Sequence, residues 1–137
     1  MNVDRFLDTN VLLYAISTAR DEEPRKQKAR ELLASNDWGL SIQVLQEFYV
    51  NATRQPNPGL SHQDARLAVE HFLRRPVVVV DESLMFEGIR LRKRFMISYW
   101  DAAIVAAAKI SGAKTLYSED LNHGQDYEGV TVLNPFL

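Results

Sequence analysis

The residues of this chain that could perform chemistry are four acids from separate parts of the sequence. Asp8 follows directly on the first apolar run of strand length, and Asp120 follows the fourth such run. Ligands of open α/β sheets bind beyond the carboxyl ends of the strands, so both acids fall where a site forms. Asp101 opens an apolar helix, and Glu47 lies in the middle of an amphipathic one.

Gathered in one place, these acids would form a site for a hard divalent cation. Two carboxylates about 4 Å apart repel by about 4 kcal/mol at an effective dielectric constant of about 20, so protons or a cation must relieve them. The chain has no cysteine, and its His62 and His71 fall on different faces of a helix and cannot share a metal. Oxygen ligands of this kind favour Mg²⁺ or Mn²⁺ over zinc. Such an ion suits the hydrolysis of phosphodiesters.

Each acid also has a purely structural interpretation. Asp8 could cap a short helix from Val11 to Ala15, and Asp101 could be a first-turn carboxylate that the helix dipole favours. Glu47 could be a solvated residue on a helix face, and Asp120 a turn residue. Strand order does not follow from a single sequence, so the convergence of the four acids stays an expectation.

The helices and strands that must position these acids alternate along the sequence. Short apolar runs separated by segments of helical period predict one α/β domain with a parallel sheet. The predicted strands are Val3–Leu7, Trp38–Ile42, Val77–Val80, Thr115–Tyr117 and Val130–Leu133, and the predicted helices are Pro24–Asn36, Gln43–Arg54, a helix capped by Ser61 and running to Leu73, Glu82–Arg94, and Trp100–Ser111.

Two of the helices carry specific expectations about burial. The segment from Glu82 to Arg94 is amphipathic, and the pattern places Phe86 and Ile89 against the core. The segment from Trp100 to Ser111 is apolar almost all round and is followed by Gly112, a typical residue just past a helix end. We therefore expect it to be the most buried helix.

Composition narrows the class of protein. The chain has 137 residues, 18 acidic and 16 basic, with a net charge of −2 and no cysteine. Disulfides, thiolate nucleophiles and thiolate-bound metals are therefore excluded, and the longest apolar run is far below the ~18 residues of a membrane-spanning helix. A cytoplasmic protein is expected. The near-balanced charge by itself argues against a nucleic-acid partner, since such proteins usually show a basic footprint.

Four segments nevertheless resemble the PIN-domain ribonucleases, and most closely the VapC-type toxins of toxin–antitoxin pairs. The likeness is collinear over nearly the whole chain. Its parts are FLDTNVLLYA at residues 6–15, Ser41 followed six positions later by Glu47, WDAAIVAAA at 100–108, and SED at 118–120. The first block is highly specific for so short a motif, whereas the serine-to-glutamate spacing and the last block have weight only in this order.

The resemblance implies a three-layer α/β/α sandwich around a central parallel five-stranded sheet ordered 3-2-1-4-5, formed by residues 1–137 as a single nuclease domain. Asp8, Glu47, Asp101 and Asp120 match the acidic quartet of the family, with Asp8 and Asp101 the best-supported Mg²⁺ (or Mn²⁺) ligands. Supporting residues follow from the same match: Thr9 and Ser118 as hydroxyls that orient the acids or a water, and Asn10 as a brace. The doubled acid Glu119-Asp120 leaves the fourth acid open, and spacing favours Asp120.

What the resemblance implies for function is a Mg²⁺-dependent endoribonuclease that acts on RNA, binds a cognate antitoxin protein and forms a homodimer. The net charge then argues less strongly against a nucleic-acid partner. Setting the four acids aside leaves 14 acidic against 16 basic residues, so the rest of the surface carries +2 instead of −2.

One alternative from another class is a receiver-like phosphoacceptor domain. Residues Val77 to Val80 would be its central strand and Asp81 its phosphorylated residue. Receivers, however, need an acidic pair after the first strand, where this chain has Asp8-Thr9. A haloacid-dehalogenase phosphatase is also disfavoured, because it needs a second aspartate at position 10, which is Asn10 here.

Overall fold

A computed structural model describes residues 2–137 of the chain. Six strands form one sheet, and six α-helices and a short 3₁₀ turn at Arg20–Glu22 connect them. The strands are β1 (Arg5–Leu7), β2 (Trp38–Ser41), β3 (Val77–Val78), β4 (Thr115–Tyr117), β5 (Asp126–Tyr127) and β6 (Val130–Leu133). The helices are α1 (Thr9–Ala15), α2 (Glu23–Ala34), α3 (Ile42–Ala52), α4 (His62–Phe72), α5 (Glu82–Phe95) and α6 (Tyr99–Ile110).

The sheet has the strand order β3-β2-β1-β4-β6-β5, in which β1 pairs in parallel with both β2 and β4. The five parallel strands therefore follow the order 3-2-1-4-5, as the resemblance implies. The strand order reverses at β1, which is where ligands bind in such sheets.

The sixth strand, β5, was not expected from the sequence. It runs antiparallel to β6 across a two-residue turn, Glu128-Gly129, in which both residues have positive φ angles of 57° and 100°. Two positive φ angles are typical of a type I′ hairpin, whose usual sequence signal is Asn-Gly or Asp-Gly. Glu128-Gly129 lacks that signal, so the turn residues do not predict the hairpin.

Helix α6 forms the centre of the core, as expected. Residues 102–108 are all buried, and the helix ends before Gly112, whose φ is +81°. The positive φ is what favours glycine at this turn, because residues with a side chain rarely adopt it. The helix begins at the Ser98 cap and thereby fixes the position of its first turn.

The expectation that Phe86 and Ile89 face the core is wrong. They are 58% and 47% exposed, whereas Leu84, Gly88 and Leu91 of the same helix are buried. The reason is the close approach of α5 to α6: a β-carbon at Gly88 would meet the Tyr99 ring at 3.1 Å. A stripe containing glycine thus faces the neighbouring helix, and the larger apolar residues lie on the outer side.

The third strand is also shorter than expected. Only Val77 and Val78 pair with β2, and both Val79 and Val80 are exposed. The pairing stops there because the partner of Val78 is Ser41, the last residue of β2, after which the chain continues as α3.

An ion-pair network joins α5, α6 and the β5–β6 hairpin. Glu128 accepts hydrogen bonds from Arg90 and Arg94 of α5 and from Lys109 of α6. Glu87 also pairs with Arg90 and Lys109, which lower its pKa to about 2. Within residues 2–137, no helix combines the length and the hydropathy needed to cross a membrane.

Candidate active site

Asp8 occupies the carboxyl end of β1 and caps α1. Its side chain is 4% exposed and accepts hydrogen bonds from the Thr9 amide at 2.7 Å and the Ser118 hydroxyl at 2.8 Å. The parallel register of Leu7 with Tyr117 brings the next residue of each strand, Asp8 and Ser118, side by side. The structure is therefore compatible with both interpretations of Asp8, as a helix cap and as a residue of the site.

Burial dominates the ionisation of Asp8. Removal from water raises its pKa from 3.8 to about 7, against the lowering effect of the bonds from Ser118 and Thr9. The negative charges of Asp120 and Glu47 contribute smaller parts of this increase. A cation placed beside this carboxyl group would favour its ionised form and lower its pKa.

Glu47 projects from α3 and is held at both oxygens. The Thr9 hydroxyl donates to Oε1 at 2.9 Å, and the Gln43 amide donates to Oε2 at 3.3 Å. Helix α3 starts at Ser41, whose hydroxyl caps it at the end of β2, so the helix begins at the same sheet edge as α1. Ser41 thus caps α3, and Glu47 extends from the same helix toward Thr9.

Asp101 enters from the first turn of α6. Its backbone amide donates to the Ser98 hydroxyl at 3.0 Å, and its side chain is half-buried. Burial raises the pKa of Asp101, with Asp120 and Glu47 adding to the effect and a hydrogen bond with Ser98 opposing it.

The side chains of the two adjacent acids after β4, Glu119 and Asp120, point in different directions. Asp120 accepts from the Asn10 amide at 3.2 Å, whereas Glu119 turns away and accepts from the Tyr14 hydroxyl at 2.9 and 3.1 Å. The Asp120 amide also donates to the Ser118 hydroxyl that holds Asp8. Asp120 thus faces the other acids, and Glu119 lines a neighbouring pocket.

The four acids therefore form one electrostatic group. The negative charges of Asp120 and Glu47 raise the pKa of both Asp8 and Asp101, so all four carboxyl groups lie within electrostatic range of one another. Thr9, Asn10 and Ser118 each donate a hydrogen bond to one of the acids.

Two observations bear on whether a cation fits this group. All four donors are carboxylates, the ligands that Mg²⁺ and Mn²⁺ prefer, and no basic side chain forms a salt bridge with any of them within residues 2–137. In the same part of the chain, no three such side chains already converge as a ligating cluster. The donor chemistry fits a hard divalent cation, whose binding would have to draw the carboxylates together.

Gln43 is the site residue that sequence reasoning missed. It is 7% exposed and also donates to the backbone oxygen of Trp100 at 3.2 Å, so it joins Glu47 to the helix that carries Asp101. Its separation of four residues from Glu47 on one helix was a usable signal, because such pairs are neighbours on the helix surface.

The fold and the site together define a class: an α/β protein with acids clustered at the carboxyl ends of its two central parallel strands. The model of the PIN domain family matches residues 5–125, and the chain belongs to this family. No curated protein matches the sequence.

Several solved structures share the fold. The toxin VapC20 of Mycobacterium tuberculosis, described as cleaving the sarcin–ricin loop, superposes with a TM-score of 0.68 at 22% identity, over 85% of this chain and 90% of that one. A toxin–antitoxin complex from Klebsiella pneumoniae gives 0.68 at 20% identity, over 96% and 98%. The DNA-bound VapBC of Salmonella typhimurium gives 0.67 at 18% identity, over 95% and 96%.

The receiver alternative is wrong. Its proposed phosphorylation site, Asp81, caps α5 by accepting from the Leu84 amide at 2.9 Å. Asp81 also lies three residues beyond the end of β3, an edge strand where a receiver would need a central one.

Proposed function

We propose that this protein is a Mg²⁺-dependent endoribonuclease and the toxin of a toxin–antitoxin pair, with residues 1–137 acting as one nuclease domain. The observation that carries the proposal is the electrostatically coupled group of Asp8, Glu47, Asp101 and Asp120, with Asp8 buried at its base, in a member of the PIN domain family. Structural likeness to VapC20, a toxin described as cleaving an RNA loop, supports RNA as the substrate.

The residues would divide the work as follows. Asp8 and Asp101 would ligate Mg²⁺ or Mn²⁺ directly, and Asp120 would hold a second metal or a metal-bound water. A bound divalent ion would supply Lewis acidity toward the phosphate and lower the pKa of a bound water. Glu47, oriented by Thr9 and Gln43, would accept a proton from the attacking water. Ser118 and Asn10 would keep Asp8 and Asp120 in place.

The reaction follows from this use of water. The water oxygen bonds to phosphorus, and the bond from phosphorus to the 3′ oxygen breaks. One product carries the 5′-phosphate and the other a 3′-hydroxyl, which takes up a proton. The ribose 2′-hydroxyl takes no part, so no cyclic phosphate forms.

The partners follow from the same likeness. The similar structures include toxin–antitoxin complexes and complexes with DNA, which supports a cognate antitoxin as the partner of this chain. A homodimer is part of the proposal. Light scattering on the purified chain should give twice the monomer mass, and a monomer at all concentrations would contradict it.

The test of the chemistry is an RNA cleavage assay with mapped product ends. We expect cleavage with Mg²⁺ or Mn²⁺, none with a chelator, and 5′-phosphate ends. Asp8→Asn and Asp101→Asn should abolish cleavage, while Asp64→Asn, which removes an exposed aspartate from the first turn of α4, should retain it. Unchanged cleavage by folded Asp8→Asn protein would refute the assignment.

A further inference from the structure

Trp100 is an exposed aromatic residue at the start of α6, and none of the roles above uses its side chain. It is 64% exposed, whereas Trp38, the other tryptophan of the chain, is 3% exposed and donates its ring N–H to the backbone oxygen of Leu33 at 3.2 Å. Tryptophan is highly buried on average in folded proteins. An indole left in water is therefore available to a ligand.

Trp100 lies beside the acidic group. It directly precedes Asp101 in the first turn of α6, and its backbone oxygen accepts from the same Gln43 amide nitrogen that donates to Glu47. Side chains of a helix lean toward its N-terminus. The N-terminal end of α6 is also where the charge of Asp120 acts on Asp101. The indole therefore extends into solvent at the rim of the acidic group.

The orientation of the indole is supported from one side. The Tyr99 and Trp100 rings form an edge contact, with their centroids 5.1 Å apart and an interplanar angle of 77°. Tyr99 is itself half-buried against α5, since a β-carbon at Gly88 would lie 3.1 Å from its ring. A single edge contact occupies at most one face of the indole. The other face is open, and a ring that is already supported loses less freedom when a ligand binds.

An unpaired nucleobase is the ligand that this position fits best. Setting the four acids aside leaves only two more basic than acidic residues, so attraction to phosphates contributes little affinity. Single-stranded RNA has a second means of binding, because its unstacked bases stack on aromatic side chains. Trp100 and Asp101 are adjacent, so a strand whose phosphate reaches Asp101 has a base within reach of the indole.

We propose that Trp100 stacks against one unpaired base of the RNA strand at the acidic group, and that this contact holds the strand where basic residues are few. The inference rests on the proposed function, because it states how the same site holds its substrate. Every base has a π-face, so the contact tolerates any sequence. It favours single-stranded over paired RNA, and purines, with their larger rings, over pyrimidines.

The first experiment uses tryptophan fluorescence in the presence of a chelator, so that RNA binds without being cut. A short oligoadenylate should quench the emission of wild type. It should not quench Trp100→Phe, in which the buried Trp38 is the remaining tryptophan. An abasic strand of the same length, which keeps the phosphates, should have little effect on wild type. Equal quenching by the abasic strand, or none by oligoadenylate, would overturn the proposal.

The second experiment measures affinity against salt. Trp100→Ala should bind oligoadenylate roughly 5- to 150-fold more weakly than wild type, the range for one stacked base. The slope of log affinity against log salt should stay the same, because no phosphate contact is lost. Phe86→Ala is the matched control, since it removes a 58% exposed ring from α5, a helix that carries none of the four acids. Unchanged affinity of Trp100→Ala, or an altered slope, would refute stacking.

A second copy of the chain is the rival occupant of the exposed indole. Light scattering at several concentrations should give the same mass for Trp100→Ala as for wild type. Loss of a dimer in Trp100→Ala would assign the indole to a contact between subunits and would overturn the proposal.

Cleavage separates this inference from the proposed function. With Mg²⁺ and single-stranded RNA, Trp100→Ala should raise KM more than it lowers kcat, since the indole holds the strand and touches no reacting atom. If wild type shows base-dependent quenching but cuts no RNA, the ribonuclease proposal fails and the stacking contact stands. If wild type cuts RNA and Trp100→Ala has unchanged kcat/KM, the stacking proposal alone fails.

Discussion

Replacing Asp8 by Asn should stabilise the metal-free protein at alkaline pH and do so progressively less as the pH falls. Asp8 is 4% exposed and has two hydrogen-bond donors, Thr9 and Ser118, yet burial and the charges of Asp120 and Glu47 still raise its pKa to about 7. The folded protein therefore binds a proton at Asp8 more tightly than the unfolded chain does. Ionisation of Asp8 works against folding.

The magnitude follows from linkage between protonation and folding. A carboxyl group with a pKa of 3.8 when unfolded and about 7 when folded loses stability as the pH rises between these two values. At 1.36 kcal/mol per pKa unit, the loss is about 4 kcal/mol at pH 8 and about 2 kcal/mol at pH 5. Asn removes this loss but gives up part of the bond from Ser118, which costs about 1 kcal/mol. The net gain is therefore about 3 kcal/mol at pH 8 and about 1 kcal/mol at pH 5.

Urea denaturation in the presence of a chelator measures this difference. Wild type, Asp8→Asn and the exposed control Asp64→Asn are unfolded at pH 5 and pH 8, and the free energies of unfolding are compared. Addition of Mg²⁺ at pH 8 should then raise the stability of wild type and leave Asp8→Asn unchanged. The reasoning is refuted if Asp8→Asn is less stable than wild type at pH 8, or if its advantage does not shrink toward pH 5.

Three further results are expected. Thr9→Val keeps the shape of the side chain but removes the donor to Glu47 at 2.9 Å, so it should lower kcat for RNA cleavage more than it changes KM, and Thr9→Ser should restore part of the rate. Leu84→Ala should cost about 2–5 kcal/mol of stability and Phe86→Ala less than about 0.5 kcal/mol, since only the former is buried; equal costs in urea denaturation would contradict the assigned face of α5. Nonspecific RNA binding by the metal-free protein should depend weakly on salt, with a log–log slope no steeper than roughly −2, and a steep slope would mean that the basic residues are grouped more closely than the charge balance suggests.

The sequence was most informative where a local pattern had only one physical solution. The apolar segment after Ser98 had to be buried on all sides, and Gly112 had to end it. The strand order came from the resemblance of FLDTNVLLYA and WDAAIVAAA to a known family, because no local pattern states which strands pair.

The errors arose where a neighbouring element decided the outcome. Amphipathic periodicity gave α5 correctly as a helix, but its core face was set by how closely α6 approaches Gly88. Similarly, Val77 to Val80 has strong strand propensity, yet the strand stops at Val78 because its partner strand β2 ends at Ser41 and continues as α3.

For the site, residue types were predictable and their contacts were not. The acids could be named from their places after strands and on helices, whereas the bond from Thr9 to Glu47 joins α1 and α3 across a separation of 38 positions. The separation of Glu119 from Asp120 depends likewise on Tyr14 and Asn10, both on α1.

Structural and chemical roles coincide at Asp8 and Asp101, which is why sequence alone could not choose between them. Asp8 is the cap of α1, and Asp101 lies in the first turn of α6, where it bonds to the Ser98 cap. A carboxylate whose only role is to cap a helix has a lowered pKa, because the helix dipole and the amide bond favour its charged form. Here both pKa values are raised, since burial and the charges of Asp120 and Glu47 outweigh the cap. Capping alone would not require this concentration of negative charge, but binding of a divalent cation would.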